Sequence, residues 1–132
     1  MTKLEFLKAM KKLTAYYLKD MNEEQITAWY SIFQDKDYLF FVNTIDEIAT
    51  EQKIFPNVSE LLKKYVEIEK KNQYGILELM KKDGYFKTTR ELEKAQLFIE
   101  KDCVPKWLLS DMEKYNNNTK KITNENNKFL TN

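Results

Sequence analysis

Apolar residues recur at three- and four-residue intervals along most of the chain, which is the spacing of one face of an α-helix. Thr2 and Glu5 form a capping-box pattern, so a first helix is predicted to begin near Lys3. Its predicted inward residues are Leu4, Phe6, Leu7, Met10, Leu13, Tyr17 and Met21. The lysines that fall mainly on the other side are Lys8, Lys11, Lys12 and Lys19. Such a charged set is typical of a solvated helix face.

Two further helices are predicted between Asn22 and Ala49. Asn22 and Gln25 repeat the capping pattern, and the apolar set that follows is Ile26, Trp29, Tyr30 and Phe33. Either Asp35 or Asp37 is placed to cap the third helix. The predicted inward stripe of the third helix is Tyr38, Phe41 or Val42, Ile45, Ile48 and Ala49. Leu39 and Phe40 lie off this stripe, so they either pack under another segment or form an exposed patch for a partner.

Phe55-Pro56 separates the third helix from a fourth, because proline biases the preceding residue towards an extended conformation. Asn57 and Glu60 form the next cap pair. The apolar residues of the fourth helix are Leu61, Leu62, Tyr65 and Val66. The charged run from Glu67 to Asn72 is either an extension of this helix or a hinge, and it is the predicted internal boundary.

Shorter helices are predicted in the second half. One carries Tyr74, Ile76, Leu77, Leu79 and Met80 and ends at Asp83-Gly84, a C-cap signal. The next opens at Thr88 and carries Leu92, Ala95, Leu97, Phe98 and Ile99. Pro105 begins a last amphipathic stretch from Trp107 to Tyr115. This stretch either docks on a partner or closes the core.

Residues 116–132 consist mainly of Asn, Thr and Lys and contain few apolar residues. Such a segment buries too little surface to offset its ordering entropy, so it is predicted to be disordered, or to fold on a partner through Phe129-Leu130. The predicted fold is all-α: a compact bundle of about four N-terminal helices, two or three further short helices, and a disordered tail. The predicted domains are 1–70, a helical N-terminal domain, 71–115, a helical C-terminal extension, and 116–132, the tail.

Composition supports the helical prediction. Only two glycines and two prolines occur in 132 residues, and 42% of the residues are apolar. The formal charge of +1 gives no long-range field that would steer the molecule onto nucleic acid. The single cysteine, Cys103, and the absence of an apolar leader favour the cytoplasm of a host cell. No apolar run is long enough to span a bilayer, so no membrane association is predicted.

Catalysis is not predicted. The chain contains no histidine, its isolated glycines cannot form a phosphate loop, and Cys103 has no candidate base. Carboxylate pairs such as Asp35 and Asp37 are explained as caps and turns. We therefore predict no catalytic residue, no metal site, no cofactor and no enzymatic activity.

A helix-turn-helix interpretation of the second and third helices is disfavoured. The predicted outward face of the third helix is Asn43, Thr44, Asp46 and Glu47. This face is acidic, whereas phosphate contacts need positive charge. Arg90 is the single arginine, although arginine is the commonest reader of bases. The lysines of the first helix could still make weak, non-specific and salt-sensitive contacts with DNA phosphates.

The remaining interpretation is a helical interaction module whose anchors are aromatic and aliphatic side chains. The candidate partner-binding residues from the pattern are Leu39, Phe40, Trp107, Leu108, Met112 and Tyr115.

The first half resembles a known family. Thr2-Lys3, Tyr16-Tyr17, Trp29-Tyr30, Phe55-Pro56 and Glu60-Leu61-Leu62 occur in the order and spacing of the phage-encoded replicative helicase loader and inhibitor family of Gram-positive bacteriophages. The resemblance covers about half of the chain.

This resemblance implies a compact helical N-terminal domain, a flexible C-terminal part and no ATPase activity. It implies a protein that binds a hexameric DnaB-like replicative helicase, holds it inactive and delivers it to an initiator protein at the phage origin. By their location in the tail, Lys120, Lys121, Ile122, Phe129 and Leu130 become further candidates for helicase contact. Residues 74–115 depart from the family picture because they are predicted to be helical. The alternatives are a small DNA-binding phage regulator and an inhibitor of the host helicase loader.

Overall fold

The computed structural model describes residues 1–116, which form six α-helices and contain no strand. The first four are α1 (Lys3–Tyr17), α2 (Glu23–Phe33), α3 (Tyr38–Glu51) and α4 (Val58–Lys82). They are followed by α5 (Thr89–Glu100) and α6 (residues 106–116). The all-α prediction is therefore confirmed for the described part of the chain.

Side-chain caps set the helix starts where the sequence predicts them. The Thr2 hydroxyl accepts a hydrogen bond from the Glu5 N–H at 3.1 Å, and the Glu5 carboxylate accepts one from the Thr2 N–H at 2.8 Å. Matching reciprocal pairs join Asn22 to Gln25 and Asn57 to Glu60. Each pair satisfies donors that the helix itself leaves without partners.

Two compact units divide the chain, the first being Met1–Glu69 and the second beginning at Lys70. That the units are separate domains stays a prediction. In the first unit α1 packs chiefly on α3. The buried residues of its core are Phe6, Ala9, Met10, Leu13, Phe33, Phe41, Ile45, Ile48, Leu61 and Tyr65. Three phenylalanines form its centre, with ring centroids 4.8 Å apart for Phe33–Phe41 and 5.9 Å apart for Phe6–Phe41.

The second unit has its own core, built from the end of α4 together with α5 and α6. Its buried residues are Ile76, Leu77, Met80, Leu92, Ala95, Ile99, Leu108 and Met112. Gly84 ends α4 with φ +80°, and the Tyr85 N–H reaches back to the Met80 carbonyl at 3.0 Å. This left-handed glycine is the C-cap that the sequence predicts.

Several details differ from the prediction. The charged run Glu67–Asn72 is part of α4, so the predicted separate helix around Ile76 is the end of one 25-residue helix. Leu4 and Leu7 are exposed instead of inward, because the core side of α1 is centred on Phe6, Met10 and Leu13. Helix α1 also ends at Tyr17, before Met21.

Helix α3 settles two further points. Phe41, and not Val42, is fully buried, and Asp37 caps the helix by accepting from the Phe40 N–H at 3.1 Å. Thr44 was predicted to face outward but is completely buried. It can be buried because its hydroxyl donates to the Phe40 carbonyl at 2.7 Å, which satisfies the polar group within the helix.

Candidate partner-binding surfaces

The first turn of α3 presents Leu39 on a firmly held backbone. The Asp37 N–H donates to the Tyr65 hydroxyl at 2.9 Å, which ties the start of α3 to α4. Phe40 is half-buried, and its ring meets that of Tyr65 edge-on with centroids 6.3 Å apart. Leu39 is 59% exposed. Of the two residues predicted here as contacts, Leu39 therefore offers most of the accessible surface.

The second unit contains an aromatic groove of about 360 Å³. Its lining residues are Tyr85, Phe86, Glu91, Lys94, Ala95, Phe98, Trp107 and Leu108. Trp107 is 61% exposed, so its indole is accessible at the groove. A concave apolar surface with an exposed tryptophan is the kind of site that anchors an apolar partner side chain.

A short hydrogen bond fixes one wall of this groove. The Tyr85 hydroxyl donates to the Asp111 carboxylate at 2.5 Å, and the Tyr85 ring meets the Phe86 ring edge-on at 5.0 Å. The hydrogen bond to Asp111, with burial, raises the pKa of Tyr85 to about 12. Tyr85 thus stays a neutral donor at ordinary pH and joins the loop after α4 to α6.

Three other predicted contact residues of α6 support the core. Leu108 and Met112 are buried, so they hold α6 in place and offer no accessible surface in this conformation. Tyr115 is partly buried against the same core, and burial together with a hydrogen bond to Asp83 raises its pKa. Their burial follows from their spacing, because residues 108, 112 and 115 share one face of the helix. Trp107 lies off that face.

The predicted tail contacts Lys120, Lys121, Ile122, Phe129 and Leu130 lie outside the described residues.

Lys12 is partly neutralised by an ion pair between α1 and α3. Its ammonium lies 2.7 Å from the Asp46 carboxylate, which also accepts from the Tyr16 hydroxyl at 2.7 Å. Partial burial opposes ionisation of Asp46, but the hydrogen bonds from Lys12 and Tyr16 hold the pKa of its carboxyl below the usual range. One of the lysines considered for DNA contact is therefore engaged within the unit.

An acidic cluster lies between α3 and α4. The Lys64 ammonium contacts Glu51 at 2.7 Å, Glu47 at 3.5 Å and Glu67 at 3.6 Å. Three carboxylates thus surround one cation, and the hydrogen bond to Glu51 is the main cause that raises the pKa of Lys64. Such a surface repels phosphates, which adds to the case against DNA binding through α3.

Among residues 1–116, no group of three or more metal-binding side chains is positioned to hold a metal ion. No described helix is both long enough and apolar enough to cross a membrane.

Comparison with protein families gives one match. Residues 1–62 match the N-terminal domain of the gene 39 protein, the family of the phage SPP1 helicase loader. Residues 1–62 belong to this family. The match confirms the resemblance carried by the double tyrosine, the Trp-Tyr pair and the Phe-Pro junction. Because the family is one of phage helicase loaders, it indicates a role in phage DNA replication. Comparisons with curated proteins and with solved structures gave no significant match.

The matched loader domain includes α1, α2, α3 and the first turn of α4. Leu39 lies inside the domain, whereas the groove around Trp107 lies in the part of the chain that the match does not cover. The sequence did not single out Tyr85, Phe86 and Phe98 as groove residues. The dipeptide Tyr85-Phe86 after a C-cap glycine was an available signal, since a capped helix end leaves the following aromatics to pack back on the helix.

Proposed function

We propose that the protein is a non-enzymatic accessory factor of phage DNA replication. It binds a hexameric replicative helicase in the cytoplasm of the host cell and controls the activity of the helicase and its loading at the origin. The observation that carries this proposal is the match of residues 1–62 to the N-terminal domain of the phage helicase loader family.

The mechanism needs no chemistry of its own. A protein that binds one conformation of the helicase better than another shifts the hexamer towards the preferred state, and unwinding falls if that state is inactive. Release then requires a competing partner, for which an initiator protein bound at the origin is suited. The size of the effect is limited by the difference in affinity for the two helicase states.

Two surfaces are proposed to contact the helicase. Leu39 projects from a helix start that Tyr65 holds in place, and Trp107 stands at a groove whose wall is fixed by the Tyr85–Asp111 hydrogen bond. Rigid apolar anchors lose little entropy on binding, so such residues often dominate the binding energy. Residues 117–132 are proposed as a third contact, from their position after α6 and from the resemblance.

The direct test is co-purification and size-exclusion chromatography with the phage and the host hexameric helicase. We expect a complex with one of them and a fall in its unwinding rate. Trp107→Ala should weaken the complex roughly 30-fold if Trp107 carries about 2 kcal/mol. Leu39→Glu should also weaken it, whereas Leu97→Glu, at a leucine of similar exposure on α5, should not. Absence of a complex with either helicase refutes the proposal.

A truncation after residue 116 tests the tail. Undiminished helicase binding would remove residues 117–132 from the proposed contact.

The same preparation separates the alternatives. Binding to the host helicase loader, without binding to a helicase, would identify an inhibitor of that loader. Mobility shifts at several salt concentrations test DNA binding, since an affinity based on phosphate contacts falls steeply with salt.

A further inference from the structure

The outward face of α1 carries exposed leucines that the core does not use. Leu4 is 64% exposed and Leu7 is 40% exposed. Leu18, the residue that follows the helix, is 94% exposed. The intervals of 3 and 11 residues place these positions along one side of the helix, over a length of about 21 Å at 1.5 Å per residue. Leucines in such a line are suited to contact another helix.

Leu18 contributes neither to the core nor to a relaxed helix end. Its backbone is left-handed, with φ 50° and ψ 45°, a conformation in which glycine or asparagine is usual. The helix end is already closed by backbone hydrogen bonds from Leu18 to Ala15 and from Lys19 to Thr14. The leucine side chain is therefore dispensable for the fold at this position.

The charge of this face is positive. Lys8 and Lys11 are exposed on the same side as Leu4 and Leu7. Glu5 is the only acidic residue of α1, and its carboxylate is engaged by the Thr2 N–H in the capping box. The face therefore combines apolar anchors with cations that no acidic residue of its own helix neutralises. Its complement is a surface that is apolar and acidic.

We propose that the outward face of α1 is a docking site for an acidic amphipathic helix of a partner protein. The partner's apolar stripe covers Leu4, Leu7 and Leu18, and its carboxylates lie against Lys8 and Lys11. This site is separate from the Leu39 and Trp107 surfaces and does not depend on the identity of the partner.

Other occupants fit less well. Two copies of the chain facing each other through α1 would bring like charges together. Duplex DNA would pair with the lysines but would leave the leucines against phosphates, where they gain nothing. A membrane surface is usually held by a broader apolar face, and the main apolar face of α1 is already occupied by the core.

The test uses the full, isotope-labelled chain and amide NMR spectra. The probe is a synthetic helical peptide with leucine at the a and d positions of each heptad and glutamate at e and g. We expect shifts confined to residues 4–19, and an affinity that weakens as salt is raised from 50 to 500 mM. Comparison probes are the same peptide with lysine in place of glutamate, a short DNA duplex and anionic lipid vesicles.

Matched variants distinguish docking from damage to the fold. Leu7→Glu should reduce peptide affinity at least tenfold, while Leu97→Glu should leave it unchanged. Leu18→Gly should reduce affinity several-fold without loss of folding. The double variant Lys8→Glu/Lys11→Glu should lose the acidic peptide and gain the basic one, a change that an unfolded protein cannot produce.

The proposal is overturned if the acidic peptide causes no shifts, or if its shifts fall around Trp107. It is also overturned if only the DNA or only the vesicles perturb α1. A helicase complex that forms normally with the Leu7→Glu variant leaves the helicase proposal intact, so the two proposals can fail separately.

Discussion

Removing the hydroxyl of Tyr65 tests how the presented turn of α3 is held. Tyr65 is 3% exposed, and its hydroxyl accepts a hydrogen bond from the Asp37 N–H at 2.9 Å. Tyr65→Phe keeps the ring and its packing but deletes the acceptor. The Asp37 N–H then depends on whatever water reaches this partly buried position.

The expected cost follows from that bond. A hydrogen bond inside a protein contributes about 0.5–1.5 kcal/mol net, and an unsatisfied buried donor costs about 1–3 kcal/mol. Because Asp37 itself is exposed, water can satisfy part of this demand, so we expect a loss of about 1 kcal/mol. For a unit of this size that loss lowers Tm by about 4–8 °C.

Urea unfolding followed by tryptophan fluorescence measures the change. Trp29 packs against Phe55 in the first unit with ring centroids 6.1 Å apart, so it reports on that unit. A Trp107→Phe background removes the signal from the second unit. Tyr38→Phe is the matched control, since Tyr38 is also a partly buried tyrosine of this region and no described residue is seen to hydrogen bond to its hydroxyl.

Alkaline pH gives an independent check. Burial is the main cause of the raised pKa of Tyr65, so the folded unit holds the phenol proton more tightly than the unfolded chain does. The stability from this difference is complete below the unfolded pKa of about 10 and is lost as pH rises through the folded pKa. Tyr65→Phe should therefore flatten the alkaline fall in stability. A loss below about 0.3 kcal/mol, or an equal loss in Tyr38→Phe, would refute the reasoning.

Three further outcomes are expected. Gly84→Ala should destabilise the second unit by about 1 kcal/mol in urea unfolding, because φ +80° strains any residue with a Cβ although no atom lies within 4 Å of the added carbon. Tyr85→Phe should remove one tyrosine with a pKa of about 12 from an absorbance titration, and the stability difference between wild type and variant should shrink as pH rises above about 10. Lys64→Met should leave three glutamates facing one another and lower stability by about 1 kcal/mol at low salt, with a smaller loss at 0.5 M salt.

Helix starts were predictable because the groups that fix them are close in the sequence. The capping pairs Thr2–Glu5, Asn22–Gln25 and Asn57–Glu60 each join residues three positions apart, so residue type alone specifies the hydrogen bonds. The same reasoning placed Thr88, whose hydroxyl accepts from the Glu91 N–H at 3.2 Å. Caps of this kind need no tertiary information.

The continuity of α4 was harder to predict. The run Glu67–Asn72 has little apolar content, so periodicity cannot indicate whether the helix continues. No proline interrupts this region, and Gly75 is exposed with open space around it, so the glycine costs only part of the helix propensity. The helix consequently persists from one core to the other, as the propensities of its charged residues allow.

Partners distant in the sequence were beyond prediction altogether. Lys12 and Asp46 are separated by 34 positions, and Tyr65 and Asp37 by 28 positions. A lysine on a helix face has many acids available to it, and only the packing of α1 on α3 selects Asp46. For the same reason the sequence could not show which face of α6 would close the core.

The mismatches between pattern and burial also show where contact surfaces are to be sought. A helical stripe predicts inward residues by spacing alone, but the core of a small unit has room for only part of each stripe. Leu4 and Leu7 are displaced from it because Phe6, Met10 and Leu13 already fill the contact with α3. Exposed leucines that add nothing to folding leave stability unaffected when replaced, whereas a docking leucine changes affinity when replaced. Stability and binding measured on the same variants therefore separate the solvated residues of α1 from those that meet a partner.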